Sequence, residues 1–139
     1  MERKLIRSAL DQLDNSYAPY SGFNVAAAVL AESGKIYTGV NVENASYPAG
    51  ICAECNAVSN MVSCGDRSIM AIAIVSRNTK AADGQEAKYA SPCGICRQVL
   101  REFSDPKEVR VITAKCENDY RTMTLEELLP DSFGPESLG

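Results

Sequence analysis

The chain has 139 residues, 45% of them hydrophobic, with 14 basic and 18 acidic side chains and a net charge of −4. That length supports one domain, read as residues 1–139, around a single core, and the acidic balance excludes a protein that lives on phosphate backbones, which needs clustered Lys and Arg. No apolar run approaches the ~20 residues of a membrane span, and Leu5 and Ile6 sit in a charged, amphipathic start rather than in a signal peptide, so the expectation is a soluble cytoplasmic protein without a membrane or nucleic-acid partner.

In chain order, "ERKLIRSALDQLD" (2–14) puts Leu5, Ile6, Ala9, Leu10 and Leu13 on one stripe and predicts an amphipathic helix. "NSYAPYSG" (15–22) is a turn segment, with Tyr17 and Tyr20 read as packing residues. "FNVAAAVLA" (23–31) and "IYTGVNVEN" (36–44), joined by "ESGK", predict two strands of a hairpin. On the second, Asn41 and Glu43 alternate with Val40 and Val42 and so share one face.

"ICAECNAVSNMVSC" (51–64) predicts a helix, small and apolar nearly all round, as in a core. "IMAIAIVS" (69–76) is β-branched and apolar, the pattern of a central strand covered on both faces. Residues 77–91 read as a polar loop, "GICRQVLREF" (94–103) as a second helix and "VRVITA" (109–114) as another strand. "YRTM" predicts a short edge strand; in "TLEELL" (124–129) Thr124 and Glu127 form a capping box. "PDSFGPESLG" reads as a loose tail in which Phe133 looks out of place. Helices alternating with strands after residue 51 predict an α/β layered sheet, antiparallel in its opening hairpin.

There are six cysteines and no histidine. Any transition-metal site must then use thiolates and carboxylates, and in a reducing compartment paired C-x-x-C spacing reads as metal binding or redox chemistry. Cys52/Cys55 and Cys93/Cys96 each open a predicted helix. There the i, i+3 spacing puts both sulfurs on one face, and the positive helix terminus favours thiolate. Two uses fit a tetrahedral zinc: a structural site closed by four cysteines, or a catalytic one with three ligands and a vacancy beside Glu54. The intervening residues 56–92 are long for a zinc ribbon, but spacing alone does not separate the two. Thiol exchange would not need both pairs. Cys64 and Cys116 lack partners at ligand spacing and read as buried structural thiols. Arg97, directly after Cys96, reads either as a helix-surface residue or as a cation that stabilises the thiolate.

Cys52, Glu54, Pro92, Cys93 and Cys96 stand in the order of the zinc-deaminase pattern H-x-E…P-C-x-x-C, in its three-cysteine variant. Together with "YAPYSGFNV" (17–25), "GVNVENASY" (39–47), "SPCGICRQ" (91–98) and "LLPDSF" (128–133), the chain resembles the homotetrameric zinc-dependent cytidine deaminase family almost end to end. The resemblance implies a three-layer α/β/α fold with a mixed five-stranded sheet, and hydrolytic deamination of cytidine and 2′-deoxycytidine in pyrimidine salvage. It implies Zn²⁺ on Cys52, Cys93 and Cys96, with Glu54 as the proton shuttle. Asn41 and Glu43 match positions that bind the ribose hydroxyl, Phe23 one that packs on the nucleoside, and the Ala53 backbone one that faces the pyrimidine carbonyl. Tyr47 belongs to a loop crossing between subunits, and Phe133 matches an aromatic lent to a neighbour's site in a homotetramer.

Two positions depart from the family pattern. Cys55 stands where many relatives have an arginine that donates to the thiolates, and Ala26 where glycine is common. Zn²⁺ with three thiolates carries a net −1 charge, so the loss of that arginine bears on how easily water is deprotonated there. Alternative readings are a deaminase of another cytosine-bearing small molecule such as blasticidin S, and a non-catalytic four-cysteine zinc module.

Overall fold

The hairpin expected at the start of the sheet forms between β1 (Phe23–Ala31) and β2 (Ile36–Val40), antiparallel, with Ala26 opposite Val40 and Leu30 opposite Ile36. The computed structural model describes residues 1–79 and 89–139. The remaining elements are α1 (Glu2–Leu10), α2 (Ala53–Ser63), β3 (Ile69–Asn78), α3 (Gly94–Glu102), β4 (Arg110–Cys116), β5 (Asp119–Thr124) and a one-turn α4 (Leu125–Leu128). The sheet has the order β2-β1-β3-β4-β5 and is mixed: β3 and β4 run parallel and the other neighbours antiparallel. This is the expected five-stranded α/β fold.

Strand alternation sorts the core into two faces. Ala26, Ala28, Leu30, Ala71, Ala73 and Val75 pack with Leu5, Ile6 and Ala9 of α1. Ala27, Val29, Ile72, Ile74 and Val111 pack with Ala57, Val58 and Met61 of α2 and Leu100 of α3. The central strand β3 is thus covered on both sides, as its unbroken apolar run predicts.

Several boundaries differ from the sequence reading. The first helix ends at Leu10, not residue 14; a 3-10 turn, Leu13–Asn15, still delivers Leu13 to the core. β2 ends at Val40 rather than residue 44, because only half of the next ladder pair forms: the Asn41 N–H still donates to the Val25 carbonyl at 3.2 Å, but the Val25 N–H is taken by Asn41 Oδ1 at 2.9 Å, and Asn41 Nδ2 donates to the Phe23 carbonyl at 2.8 Å. Asn41 and Glu43 therefore lie beyond β2, on either side of Val42, which bridges to Tyr17 and Ile51. Helix α2 is two-sided rather than apolar all round, with Ser59, Asn60 and Ser63 exposed. β3 runs on through Arg77 and Asn78, which the sequence places in a loop; most of that loop, residues 80–88, lies outside the described residues. β5 is longer than the expected "YRTM" strand, whereas the capping box of Thr124 and Glu127 forms as expected.

The C-terminal segment is not loose. A 3-10 turn, Pro135–Ser137, is tied to α3 by Glu136 on Arg101, and the residues before it by Ser132 on Arg101 and Phe133 on Gln98. Cys64 and Cys116 are exposed, contrary to the expectation that they are buried; Tyr17 is exposed, and Tyr20, also exposed, packs its ring edge-on against Tyr47.

Candidate metal centre and active site

Cys52 and Cys93 are the N-cap residues of α2 and α3, and Cys55 and Cys96 lie one turn further in. The two helices therefore bring two C-x-x-C pairs together at their positive ends, where thiolate is favoured. The Sγ atoms of Cys52, Cys93 and Cys96 lie within 4.8 Å of one another, and Cys93 and Cys96 are 3.6 Å apart. Tetrahedral zinc with Zn–S of about 2.3 Å needs S···S distances of roughly 3.8 Å, so the donor set fits a zinc ion by both element and spacing. Cys55 approaches Cys96 at 3.7 Å but does not join the mutually close group of three.

Burial works against the Cys93 thiolate, but backbone N–H groups at the start of α3 and the Cys96 thiol outweigh it and hold the Cys93 thiol below its ordinary range. Burial dominates at Cys96, with the Glu54 charge adding to it, and its thiol is pushed up. A metal cation in the cluster would reverse that balance by favouring thiolate.

Glu54 sits in the first turn of α2, 6% exposed. Burial pushes its carboxyl above the ordinary value, partly offset by a backbone hydrogen bond and by one from the Cys96 thiol. A carboxyl so placed holds and releases a proton nearer neutral pH than an exposed one.

A cavity of about 210 Å³ is lined by Phe23, Val25, Asn41, Cys52, Ala53, Glu54, Ile74, Ala90, Ser91 and Cys93. It is smaller than the roughly 300–1,000 Å³ of sites for drug-sized ligands, the scale of a heterocyclic ring. Of the residues singled out from the sequence, Phe23, Asn41, Cys52, Ala53, Glu54 and Cys93 meet here, with Cys96 buried behind them. Glu43 and Tyr47 line a different hollow, with Tyr20, Ser21, Asn44 and Gly50. There the Glu43 carboxylate accepts from the backbone N–H groups of Tyr20 and Ser21 and from the Ser21 hydroxyl. Tyr47 is 78% exposed, its ring edge-on to Tyr20 at 6.2 Å. Phe133 lines neither hollow among the described residues and is 59% exposed.

The sequence reading missed Val25, Ile74, Ala90 and Ser91 as wall residues, and Ser16 and Ser21 as the hydroxyls that hold Asn41 and Glu43. Ser91 carried one signal, its place two residues before Cys93. Arg97 is spent on the chain around it: its Nε donates to the Pro92 carbonyl, Nη1 to the Leu128 carbonyl and Nη2 to the Ser91 hydroxyl. It braces the wall of the cavity rather than donating to the Cys96 sulfur.

Fold and site together define a metal-binding α/β protein whose metal position and buried carboxyl share a ring-sized cavity. A family model described as "Cytidine and deoxycytidylate deaminase zinc-binding region" matches residues 1–113, and the chain belongs to that zinc-binding family. It is 38% identical over 139 residues to a cytidine deaminase of Halalkalibacterium halodurans, covering 99% of this chain and 98% of the relative. It is 41% identical to a cytidine deaminase of Sporosarcina psychrophila, covering 97% and 93%. Among solved structures, cytidine deaminase from Burkholderia pseudomallei superimposes with a TM-score of 0.83 at 36% identity, over 96% of this chain and 99% of that one.

Proposed function

We infer that this chain catalyses the hydrolytic deamination of cytidine and 2′-deoxycytidine to uridine and 2′-deoxyuridine, with release of ammonia. The observation that carries this reading is the buried carboxyl of Glu54 in the same small cavity as Cys52 and Cys93. Bound by the thiolates of Cys52, Cys93 and Cys96, zinc supplies the Lewis acidity that makes water a nucleophile at neutral pH.

The remaining chemistry is assigned to the chain's own groups. Glu54 takes a proton from the attacking water on one carboxylate oxygen and delivers it to N3 of the cytosine ring, which leaves C4 electrophilic. Oxygen adds at C4. Glu54 then moves the second proton to the 4-amino group, the C4–N bond breaks, and ammonia leaves as the C4 carbonyl forms. One water is consumed and Glu54 returns to its starting state. A carboxyl raised by burial suits both halves of this exchange.

Phe23 packs against the nucleoside and the Ala53 backbone faces the pyrimidine carbonyl. Asn41 and Glu43 take the ribose hydroxyl. One Nδ2 proton of Asn41 is used on the Phe23 carbonyl; an amide has a second for a ligand. Tyr47 and Phe133, both exposed, are assigned to act across a subunit boundary, and the working form is assigned as a homotetramer with shared sites. Among the described residues no helix is long and apolar enough to cross a membrane, in keeping with a cytoplasmic enzyme of pyrimidine salvage. The net charge of −4 favours a free nucleoside over a polynucleotide.

The test is ammonia release by the zinc-loaded protein from cytidine, 2′-deoxycytidine and blasticidin S. Turnover of the first two supports the reading. Turnover of blasticidin S alone, or of none, overturns it.

A further inference from the structure

Among the described residues, Arg101 is the cationic side chain that the fold buries, at 7% exposure. A buried guanidinium is costly unless its donors are matched, and every partner shown for this one lies in the C-terminal segment. Its Nε donates to the Ser132 hydroxyl at 2.8 Å, and its Nη2 pairs with the Glu136 carboxylate. Gly134 lies against the guanidinium: a Cβ there would stand 2.4 Å from Cζ and 2.5 Å from each Nη. The φ of Gly134 is −148°, extended backbone open to any residue, so what glycine supplies here is room for the guanidinium, which a Cβ would displace, and not a special conformation.

Residues 132, 134 and 136 thus close around one planar group. Phe133, between them, is left with its ring 59% exposed, while its carbonyl accepts from Gln98 Nε2 at 2.9 Å. Gln98 and Arg101 stand one turn apart on α3, the helix whose N-terminal end carries Cys93 and Cys96. The backbone that carries the Phe133 ring is therefore tied to the same helix as Cys93 and Cys96.

We propose that Arg101, seated on Gly134, is a positioning residue that fixes the direction in which Phe133 projects, so that the ring enters the nucleoside cavity of a second copy of this chain. The cavity favours an aromatic from outside. Phe23 is the only aromatic among its described lining residues, and the exposed ring of Phe133 reaches neither described hollow of its own chain. This rests on the reading above that Phe133 serves a neighbour's site.

The test is steady-state kinetics on cytidine, with zinc content measured on each preparation, for Phe133→Ala, Gly134→Ala, the double variant, and Arg101→Lys. Stacking of an aromatic on a base sets the scale: Phe133→Ala and Gly134→Ala each raise KM roughly tenfold, with zinc content unchanged. The double variant is no worse than Phe133→Ala alone, because both changes remove one interaction. Arg101→Lys raises KM as Gly134→Ala does, since an ammonium cannot reproduce the planar fork. If Phe133→Ala raises KM while Gly134→Ala behaves as wild type, or if the two effects multiply, the positioning role is overturned and the Phe133 reading survives. If Phe133→Ala leaves KM unchanged, the Phe133 reading itself fails and the positioning role with it.

Discussion

Gly39 of β2 lies so close to the backbone of Ala57 in α2 that a Cβ on residue 39 would stand 2.4 Å from the Ala57 nitrogen, and 2.7 Å from the Ala53 carbonyl oxygen. This contact sets the height of α2 above the sheet, and α2 carries Cys52 and Glu54 at its start. Gly39→Ala is therefore expected to destabilise the protein by about 1–3 kcal/mol, the usual range for overpacking, and more if the helix backbone cannot shift. Urea unfolding checks it. An unchanged midpoint would show that the helix has room to move, and the stated origin of the site's geometry would be wrong.

Glu54→Gln keeps the shape of the side chain and removes its proton chemistry. Turnover of cytidine is expected to fall by roughly 10²–10⁴-fold, the worth of a positioned acid–base group. Zinc stoichiometry is expected to hold, since Glu54 is not one of the three thiol ligands. The charged form of Glu54 is the one that burial disfavours, so the amide variant should melt no lower than the wild type. Turnover within a few-fold of wild type would remove Glu54 from the mechanism.

Asp66 and Tyr37 give a pH dependence that does not involve the metal. The Tyr37 hydroxyl donates to Asp66 Oδ2 at 2.5 Å and the Ser33 hydroxyl to the same atom at 2.9 Å; these bonds hold the Asp66 carboxyl below its ordinary value of 3.8. In return the bond to Asp66, and then burial, push the Tyr37 hydroxyl up to about 12. A lowered carboxyl stabilises the fold above its unfolded value and loses that contribution as pH falls through the folded one; a raised phenol stabilises below its unfolded value and loses it as pH rises through the folded one. Tyr37→Phe should thus lower the melting temperature most between about pH 5 and 9, with the difference shrinking toward pH 3 and above about pH 11. Melts across that range check it. A gap that stays constant with pH would mean that the pair is not coupled.

The bounds of β1 and the core of β3 were legible because apolar runs of strand length between turn residues read as covered strands, and the two helices because each C-x-x-C pair opens an apolar segment, α3 from Gly94 as expected and α2 from Ala53 rather than residue 51. The early ends of the first helix and of β2 were not. Leu13 continues the apolar stripe of α1 while standing in a 3-10 turn, so periodicity runs past the true boundary. Asn41 ends β2 by bonding Val25 and Phe23 across the sheet, a side chain competing for backbone partners that local pattern does not display. The tail looked loose because its tether, Arg101, lies some thirty positions upstream. Within the site, chemistry-bearing residues were legible from motif order, while the wall residues Val25 and Ile74 are ordinary strand residues until the fold places them.

Cys55 marks the boundary between an open and a closed metal site. Its sulfur is 3.7 Å from Cys96 but outside the group formed by Cys52, Cys93 and Cys96. Cys55→Ser is expected to keep one zinc per chain, with affinity weakened by no more than the roughly 10–100-fold typical of a group that only touches a ligand. Cys52→Ser should lose the metal far more readily. Equal loss in both variants, measured by metal analysis after competition with a chelator, would contradict this.

The most direct measurement is zinc K-edge X-ray absorption on the wild-type protein loaded with one equivalent of zinc. The account predicts three sulfur scatterers at about 2.3 Å and one oxygen or nitrogen scatterer at about 2.0 Å. Four sulfurs would place Cys55 on the metal and contradict it.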